Sequence, residues 1–200
     1  AYFAARGFAA ITPNYFLGAR DGSRAAWPKA VYDAKSAVRF VRAHADELGI
    51  NPDRIFAFGY SSGAYLAMMV GFTPNLTQLE GPDADPAGSS RVTAVVDVAG
   101  VCDRRRDVGI PLALLGQGYQ EKWDLRVATS PVIYISSKTV PVYILHGRND
   151  RVADVSCATQ LANALKAAEV PHVLSLVDAG HSPITARELD AIVEWLKRVP

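Results

Sequence analysis

The sequence predicts an α/β domain with a mostly parallel sheet that is covered by helices on both faces. Apolar, strand-like runs alternate along the chain with segments whose apolar residues recur at the three- and four-residue spacing of amphipathic helices. The strand-like runs are nearly continuous in apolar residues, which is typical of parallel strands buried between two layers of helices. Half of the 200 residues are hydrophobic. We therefore expect a single domain over residues 1–200 with a sizeable core.

The first quarter of the chain predicts one short strand and one long helix. The apolar run 8–12, which Pro13 closes, predicts a buried strand. Residues 14–26 are polar and Gly-rich and predict a loop. From Pro28 onwards, apolar residues recur at helical spacing as far as Gly49, which predicts one continuous helix.

The remainder of the chain repeats the alternation of strands and helices after an irregular middle. The stretches 72–91 and 101–130 predict loops, with one short helix at 111–115. The later strands are predicted at 92–98, 141–146 and 172–177, and the later helices at 153–169 and 185–199.

The most informative stretch joins an apolar strand to an apolar helix through the turn Gly59-Tyr60-Ser61-Ser62-Gly63. In this strand–turn–helix context, Gly-x-Ser-x-Gly indicates a nucleophilic serine, here Ser61. We expect so sharp a turn to leave no room for side chains at Gly59 and Gly63, and to hold Ser61 in strained backbone. The backbone N–H of Ser62, at the start of the helix, is then predicted to face a developing oxyanion.

A serine hydroxyl becomes a good nucleophile when a base takes its proton, and the base is usually a histidine that a carboxylate orients. His181 follows the predicted strand 172–177, and Asp150 follows the predicted strand 141–146. The carboxyl ends of parallel strands meet at one edge of the sheet, so both side chains are expected near Ser61. The order Ser61, Asp150, His181 along the chain is the order expected for this type of turn.

Other side chains compete for these roles. Asp154 is positioned to cap the following helix, and Asp178 is expected to tie down its own loop. Asp97 lies within a predicted strand, where it would be a buried, paired carboxylate. His146, at a strand end, is interpreted as a structural histidine.

Composition narrows the range of partners. The chain has 21 basic and 20 acidic residues, a net charge of +1, which argues against nucleic acid or an anionic membrane surface as the main partner. No apolar run reaches the length of a membrane-spanning helix. The two cysteines, Cys102 and Cys157, do not form a disulfide framework, and no metal-ligand spacing is present. No cofactor or metal is therefore expected.

At this point the chain resembles the α/β-hydrolase family, and within it the small serine esterases of the hormone-sensitive-lipase and feruloyl/acetylxylan-esterase type. The matching segments cover most of the chain; they are Ala5-Arg6-Gly7-Phe8, Thr12-Pro13-Asn14-Tyr15, Trp27-Pro28-Lys29-Ala30-Val31-Tyr32-Asp33-Ala34-Lys35, Leu48-Gly49-Ile50-Asn51-Pro52-Asp53-Arg54-Ile55, Thr129-Ser130-Pro131, His146-Gly147-Arg148-Asn149-Asp150 and Gly180-His181. The resemblance implies an α/β-hydrolase fold, with Ser61 as the nucleophile, Asp150 as the acid and His181 as the base. The implied partner is a small-molecule ester.

One feature of such esterases has no match in this chain. They carry a His-Gly-Gly-Gly-like loop before the first helix, and its N–H groups supply the other half of the oxyanion hole. The resemblance therefore implies an N-terminally truncated domain in which the N-terminal strands of the sheet are missing, either as a fragment of a longer esterase or as a shortened variant of uncertain activity. It also predicts that the run 8–12 and the strand before Ser61 are not neighbours, unless the sheet closes up.

Three functions remain open from the sequence. The first is a carboxylic ester hydrolase that acts through an acyl-enzyme on small acyl or aryl esters. The second is an amide hydrolase, such as an arylformamidase or a prolyl-peptidase-like domain, with the same triad. The third is a non-catalytic binding protein with the α/β-hydrolase fold, an interpretation that the unmatched oxyanion loop favours and the three triad residue types oppose.

Overall fold

The computed structural model describes residues 2–82, 84–85, 88–105 and 112–200. The described strands form one parallel sheet in the order β1-β2-β3-β4. The strands are β1 (Phe56–Tyr60), β2 (Ala94–Val98), β3 (Val142–Gly147) and β4 (His172–Val177). The α-helices are α1 (Lys29–Ala43), α2 (Ala45–Leu48), α3 (Ser62–Phe72), α4 (Leu112–Leu115), α5 (Trp123–Ala128), α6 (Ser156–Ala167) and α7 (Ala186–Arg198).

Helices cover both faces of the sheet. Val95 and Ile144, on one face, share an apolar cluster with Met68 of α3 and Leu161 of α6. Val96, Val98 and Leu145, which point to the other face, share a second cluster with residues of α7. The alternation of side chains along β2 therefore assigns α3 and α6 to one layer and α7 to the opposite layer. The predicted α/β architecture is confirmed.

The helix that follows Ser61 is apolar all round, as its sequence predicts. All of residues 64–72 are buried, and α3 packs against β1, β2 and α1. Because α3 packs against neighbours on several sides, its first residues and the turn before them are rigidly supported.

None of the helices in the described ranges is both long and apolar enough to cross a lipid bilayer.

The predicted helix from Pro28 to Gly49 is interrupted. α1 ends at Ala43 and α2 begins at Ala45, with His44 between them in a non-helical conformation. The His44 ring stacks on Phe40, with 4.0 Å between the ring centroids. The end of the segment agrees with the prediction, since Gly49 caps α2 with a φ of 63°.

The predicted strand at residues 8–12 is wrong. No residue of this run pairs with the sheet, and residues 9–14 are exposed. Phe8 alone packs against the sheet, with its ring centroid 6.1 Å from that of Phe56 in β1. An apolar pattern shows that a segment can be buried, but a strand also needs a partner for its backbone N–H and C=O groups. The expectation that this run and β1 are not neighbours in the sheet is confirmed.

Candidate active site

Ser61 lies at the turn between β1 and α3, with φ 54° and ψ −116°. A non-glycine residue in such a conformation costs about 1–3 kcal/mol and persists only where its neighbours hold it. Here the Ser61 N–H donates to the Val98 carbonyl over 2.8 Å, and the Ser61 carbonyl accepts the Tyr65 N–H over 3.1 Å. These bonds join the turn to β2 and to the first turn of α3. The expected strain at Ser61 is confirmed, and its hydroxyl is held at the carboxyl edge of the sheet.

The two glycines of the turn differ in their surroundings. A Cβ at Gly59 would overlap the backbone of Gly63, so the chain can turn this sharply only with glycine at position 59. A Cβ at Gly63 would meet no described atom within 4 Å. The expectation of crowding is therefore confirmed for Gly59 and wrong for Gly63, because the turn folds Gly63 back onto Gly59 and leaves its own Cα facing outwards.

Asp150 lies in the loop that leaves β3, and its side chain is fully buried. Its Oδ1 accepts the N–H groups of Val152 over 2.8 Å and of Ala153 over 3.0 Å, which fixes the plane of the carboxylate. Burial raises the pKa of Asp150, but hydrogen bonds from His181 and from the two N–H groups outweigh this effect and lower the pKa below its ordinary value. Asp150 is therefore ionised at neutral pH.

His181 lies in the loop that leaves β4 and bridges the other two residues. Its Nδ1 is 2.8 Å from Asp150 Oδ2, and its Nε2 is 2.9 Å from Ser61 Oγ. Since an ionised carboxylate only accepts hydrogen bonds, Nδ1 carries the proton of the neutral ring and Nε2 accepts the Ser61 hydroxyl. The structure thus brings the three residues that the sequence places at separate strand exits into one hydrogen-bonded chain.

The loops that carry Asp150 and His181 are bonded directly to each other. Backbone N–H groups of Arg148 and Asn149 donate to the carbonyls of residues 177 and 179, over 2.8 and 2.9 Å. The Asn149 side chain donates to Asp178 Oδ1 over 2.6 Å, which confirms that Asp178 ties down its loop. A Cβ at Gly147 would overlap the backbone carbonyls of this loop. Close packing of the two loops sets the distance between the carboxylate and the imidazole.

The competing carboxylates make other contacts. Asp154 accepts the N–H of Ser156, the first residue of α6, over 2.8 Å. Asp97 is buried on the face of the sheet that α3 covers, and its Oδ1 accepts the Gly100 N–H over 3.1 Å. Burial raises the pKa of Asp97 to about 7, although the bond from Gly100 acts in the opposite direction. Of the four carboxylates considered, Asp150 is the one that contacts His181.

Two residues at the site have contacts that sequence reasoning did not predict: Tyr60, which it did not name as a site residue, and His146, which it interpreted as a structural histidine. The Tyr60 hydroxyl is 2.8 Å from Ser182 Oγ, and the Tyr60 ring centroid is 5.3 Å from that of His181. His146 Nε2 is 3.1 Å from Asp150 Oδ2. The signal for Tyr60 was its place inside the Gly-x-Ser-x-Gly turn, next to the serine; the signal for His146 was its place four residues before Asp150.

Ser62 is the first residue of α3, and its side chain is exposed at the same edge of the sheet. The first N–H groups of a helix have no intrahelical acceptor and carry partial positive charge. The Ser62 N–H therefore belongs to a set of donors adjacent to the Ser61 hydroxyl. Among the residues that the structure describes, no group of three or more His, Cys, Asp or Glu side chains could hold a metal ion.

The loop 14–26 and the segment around α4 lie against each other. Backbone N–H groups of Ala26 and Trp27 donate to carbonyls of residues 113 and 114, over 2.8 and 3.0 Å. Tyr15 and Trp27 pack against an apolar cluster that includes Tyr65 of α3, one turn beyond Ser61. Residues 106–111, which precede α4, lie outside the described part of the chain.

A family of known sequences matches most of this chain. The sequence model described as BD-FAE matches residues 1–165. Among curated proteins, the probable carboxylic ester hydrolase LipM of Mycobacterium tuberculosis is 30% identical over an alignment 215 residues long. The alignment covers 99% of this chain and 48% of LipM. The chain spans about half the length of the curated relatives that it matches.

Solved structures resemble the described fold. A thermophilic esterase, Est2 of the Planctomycetes species Thermogutta terrifontis, superposes with a TM-score of 0.70 at 30% identity, covering 84% of this chain and 63% of the esterase. Est2 has also been solved with propionate and with butyrate bound. A truncated carbohydrate esterase from gut microbiota superposes with a TM-score of 0.80 at 24% identity, covering 86% of this chain and 68% of that one. The latter likeness concerns the fold alone.

Proposed function

The chain belongs to the BD-FAE family, and from this premise we propose that it is a carboxylic ester hydrolase in which Ser61, His181 and Asp150 form a catalytic triad. Family membership confirms the resemblance to the α/β-hydrolase esterases. The observation that carries the proposal is the pair of hydrogen bonds from Ser61 Oγ to His181 Nε2 and from His181 Nδ1 to Asp150 Oδ2. A nucleophile, a base and an orienting acid in this geometry are the parts that acyl transfer requires.

In the first half of the proposed reaction, His181 Nε2 takes the proton of the Ser61 hydroxyl while Oγ attacks the ester carbonyl carbon. Asp150 keeps the Nδ1 proton in place and stabilises the imidazolium that forms. The backbone N–H of Ser62 donates to the carbonyl oxygen as it becomes an oxyanion. His181 then gives its proton to the leaving alcohol, and the acyl group remains bonded to Ser61.

In the second half, water replaces the alcohol. His181 Nε2 takes a proton from the water, whose oxygen attacks the acyl carbon of the acyl-enzyme. The bond to Ser61 Oγ breaks, Ser61 regains its proton from His181, and the carboxylic acid leaves. Because His181 is about one-fifth exposed at the rim of the site, water can reach Nε2 without a large opening of the fold.

We propose esters with small acyl groups as the substrates. Two observations on related proteins favour esters over the amide alternative: LipM is described as a carboxylic ester hydrolase, and Est2, an esterase, has been solved with propionate and butyrate.

The first experiment compares hydrolysis of p-nitrophenyl acetate, propionate and butyrate by the wild-type chain, Ser61→Ala and Ser137→Ala. Ser137 is an exposed serine of a surface turn and serves as the control. We expect Ser61→Ala to lose at least about 10⁴-fold in kcat, because the nucleophile is removed. Ser137→Ala should match wild type. Equal rates for Ser61→Ala and wild type would overturn the proposal.

A second experiment separates catalysis from binding alone. A fluorophosphonate probe should form one adduct, on the peptide that contains Ser61, and mass spectrometry of a digest identifies the site. An unlabelled Ser61 favours the non-catalytic binding protein. Faster turnover of formanilides or peptide anilides than of the three esters favours the amide hydrolase.

A further inference from the structure

A second histidine contacts the carboxylate of Asp150. His146 is the fifth residue of β3 and is 0% exposed. Its Nε2 lies 2.8 Å from the Ala153 carbonyl oxygen and 3.1 Å from Asp150 Oδ2, the oxygen that also accepts His181 Nδ1. Oδ1 of the same carboxylate accepts the two backbone N–H groups described above. Asp150 Oδ2 therefore accepts the hydrogen bond from His181 and also has the buried Nε2–H group of His146 3.1 Å away.

The partners of His146 determine which nitrogen carries its proton. Both atoms within hydrogen-bond distance of Nε2 are acceptors, a backbone carbonyl and an ionised carboxylate, so Nε2 must be the donor. Nδ1 is buried and has no hydrogen-bond partner among the described residues. A second proton at Nδ1 would be a buried donor without an acceptor, which is costly. These contacts favour a neutral ring whose one N–H, at Nε2, bonds to the Ala153 carbonyl and lies 3.1 Å from Asp150 Oδ2.

The position of this N–H is rigid. His146 pairs with Leu176 in the ladder between β3 and β4, in the interior of the sheet. A buried ring on a central strand cannot change rotamer without disturbing its neighbours. The sheet therefore holds the Nε2–H group of His146 in a fixed position, whereas Asp150 and His181 both lie on loops.

We propose that His146 is a positioning residue of the catalytic site: its Nε2–H bonds to the carbonyl of Ala153, whose N–H bonds to Asp150 Oδ1, and its electrostatic contact with Oδ2 keeps the carboxylate where it orients the imidazole of His181. This inference rests on the triad proposed above. His146 contacts neither Ser61 nor the space in front of it, so it acts through Asp150. A small displacement of Oδ2 turns the His181 ring away from Ser61 Oγ, and proton transfer between these two groups is sensitive to that geometry.

The alternative is that His146 only ties the loop after β3 to the sheet, through the Ala153 carbonyl. In that case, its loss would lower stability and leave turnover of the folded protein unchanged. The two interpretations therefore differ in kcat, measured well below the unfolding temperature of each variant.

The test uses two variants of nearly equal shape. In His146→Gln the side-chain amide nitrogen takes a position close to that of Nε2 and keeps a donor, while His146→Met is a similar unbranched side chain without a donor. Both lose the ring, so both are expected to be less stable than wild type. We expect His146→Met to have a kcat about tenfold lower than His146→Gln, with KM within twofold, because it removes both the bond to Ala153 and the buried donor beside the ionised carboxylate. Equal kcat values for the two variants would overturn the proposal.

A measurement on the wild-type chain does not depend on the folding of either variant. In ¹⁵N-labelled protein, the chemical shifts of the His146 ring nitrogens distinguish the Nε2–H tautomer, the Nδ1–H tautomer and the imidazolium. We expect the neutral Nε2–H tautomer at pH 7. A proton on Nδ1, in either the other tautomer or the charged ring, contradicts the proposed donor geometry.

Failure of this inference is distinguishable from failure of the proposed function. If the wild-type chain hydrolyses no ester and the fluorophosphonate probe leaves Ser61 unmodified, the triad itself is wrong. If wild type is active and Ser61 is labelled, but His146→Met and His146→Gln turn over equally fast, only the role of His146 is wrong.

Discussion

Replacing Asp150 by asparagine should abolish catalysis while leaving the shape of the site almost unchanged. The reason lies in the two oxygens of the carboxylate, which have different partners. Oδ1 accepts the N–H groups of Val152 and Ala153, so an asparagine would keep its carbonyl oxygen there. The opposite orientation would set an NH₂ group against two donors and cost about 1–3 kcal/mol for each lost bond.

This orientation places the asparagine NH₂ where Oδ2 lies in the wild type, 2.8 Å from His181 Nδ1. Two donors would then face each other, unless His181 adopts the tautomer with its proton on Nε2. In that tautomer His181 presents a proton to Ser61 Oγ and cannot accept the hydroxyl proton. A wrong tautomer in a serine triad typically lowers kcat by about 10⁴-fold, which corresponds to about 5 kcal/mol of transition-state stabilisation.

The assay is the initial rate of p-nitrophenyl acetate hydrolysis at pH 8, with kcat and KM determined for Asp150→Asn, Asp178→Asn and wild type. Asp178 is the matched control, because it is an exposed aspartate in the neighbouring loop and accepts a hydrogen bond from Asn149 rather than from His181. We expect Asp178→Asn to retain kcat within about threefold, since the asparagine keeps a carbonyl oxygen that can accept the Asn149 side chain and the bond is exposed. The reasoning is refuted if Asp150→Asn keeps more than about a tenth of the wild-type kcat while thermal unfolding shows it to be folded.

Two further predictions concern residues around the triad. Tyr60→Phe should lower kcat by about three- to tenfold, because it removes the bond to Ser182 that holds the His181 loop. Ser182→Ala should lower kcat equally, and the double variant should be no slower than either single variant. Steady-state kinetics in which the two losses multiply would contradict this prediction. Asp97 has a folded-state pKa of about 7 against an ordinary value of 3.8, so folding favours its protonated form. Stability from this group is fully present below about pH 4 and is lost as the pH rises through 7. In the wild type, the free energy of unfolding should therefore fall between pH 5 and pH 8. In Asp97→Asn this fall should be smaller by a few kcal/mol, as measured by urea denaturation at both pH values. An equal fall in the two proteins would contradict the assigned effect of burial on the Asp97 pKa.

Much of the fold could be predicted because parallel strands and amphipathic helices have strong local signatures. The predicted strand at 172–177 and its helix at 185–199 agree with β4 and α7 to within about a residue. The run 8–12 has the same apolar signature, yet it forms no strand. Whether a strand forms depends on an edge to pair with, and that is a property of the sheet rather than of the segment.

The candidate site shows the same division. Ser61, Asp150 and His181 could be named because each has a recognisable place: a strand–helix turn, or the exit of a strand at the carboxyl edge. Their catalytic roles remain predictions. Tyr60 and His146 could not be assigned, because their contacts with Ser182 and Asp150 depend on the register of the sheet and on how two exit loops pack together.

At the turn around Ser61, the sequence by itself determined the type of turn, since a strand, Gly-x-Ser-x-Gly and an apolar helix are all local patterns. The order Ser61, Asp150, His181, proposed here as nucleophile, acid and base, is likewise determined by the sequence. Only the tertiary structure decided which carboxylate reaches the imidazole and which second histidine lies beside that carboxylate. Hydrogen bonds between distant segments depend on distances of tenths of an ångström, and only the packed sheet and its interlocked loops set those distances.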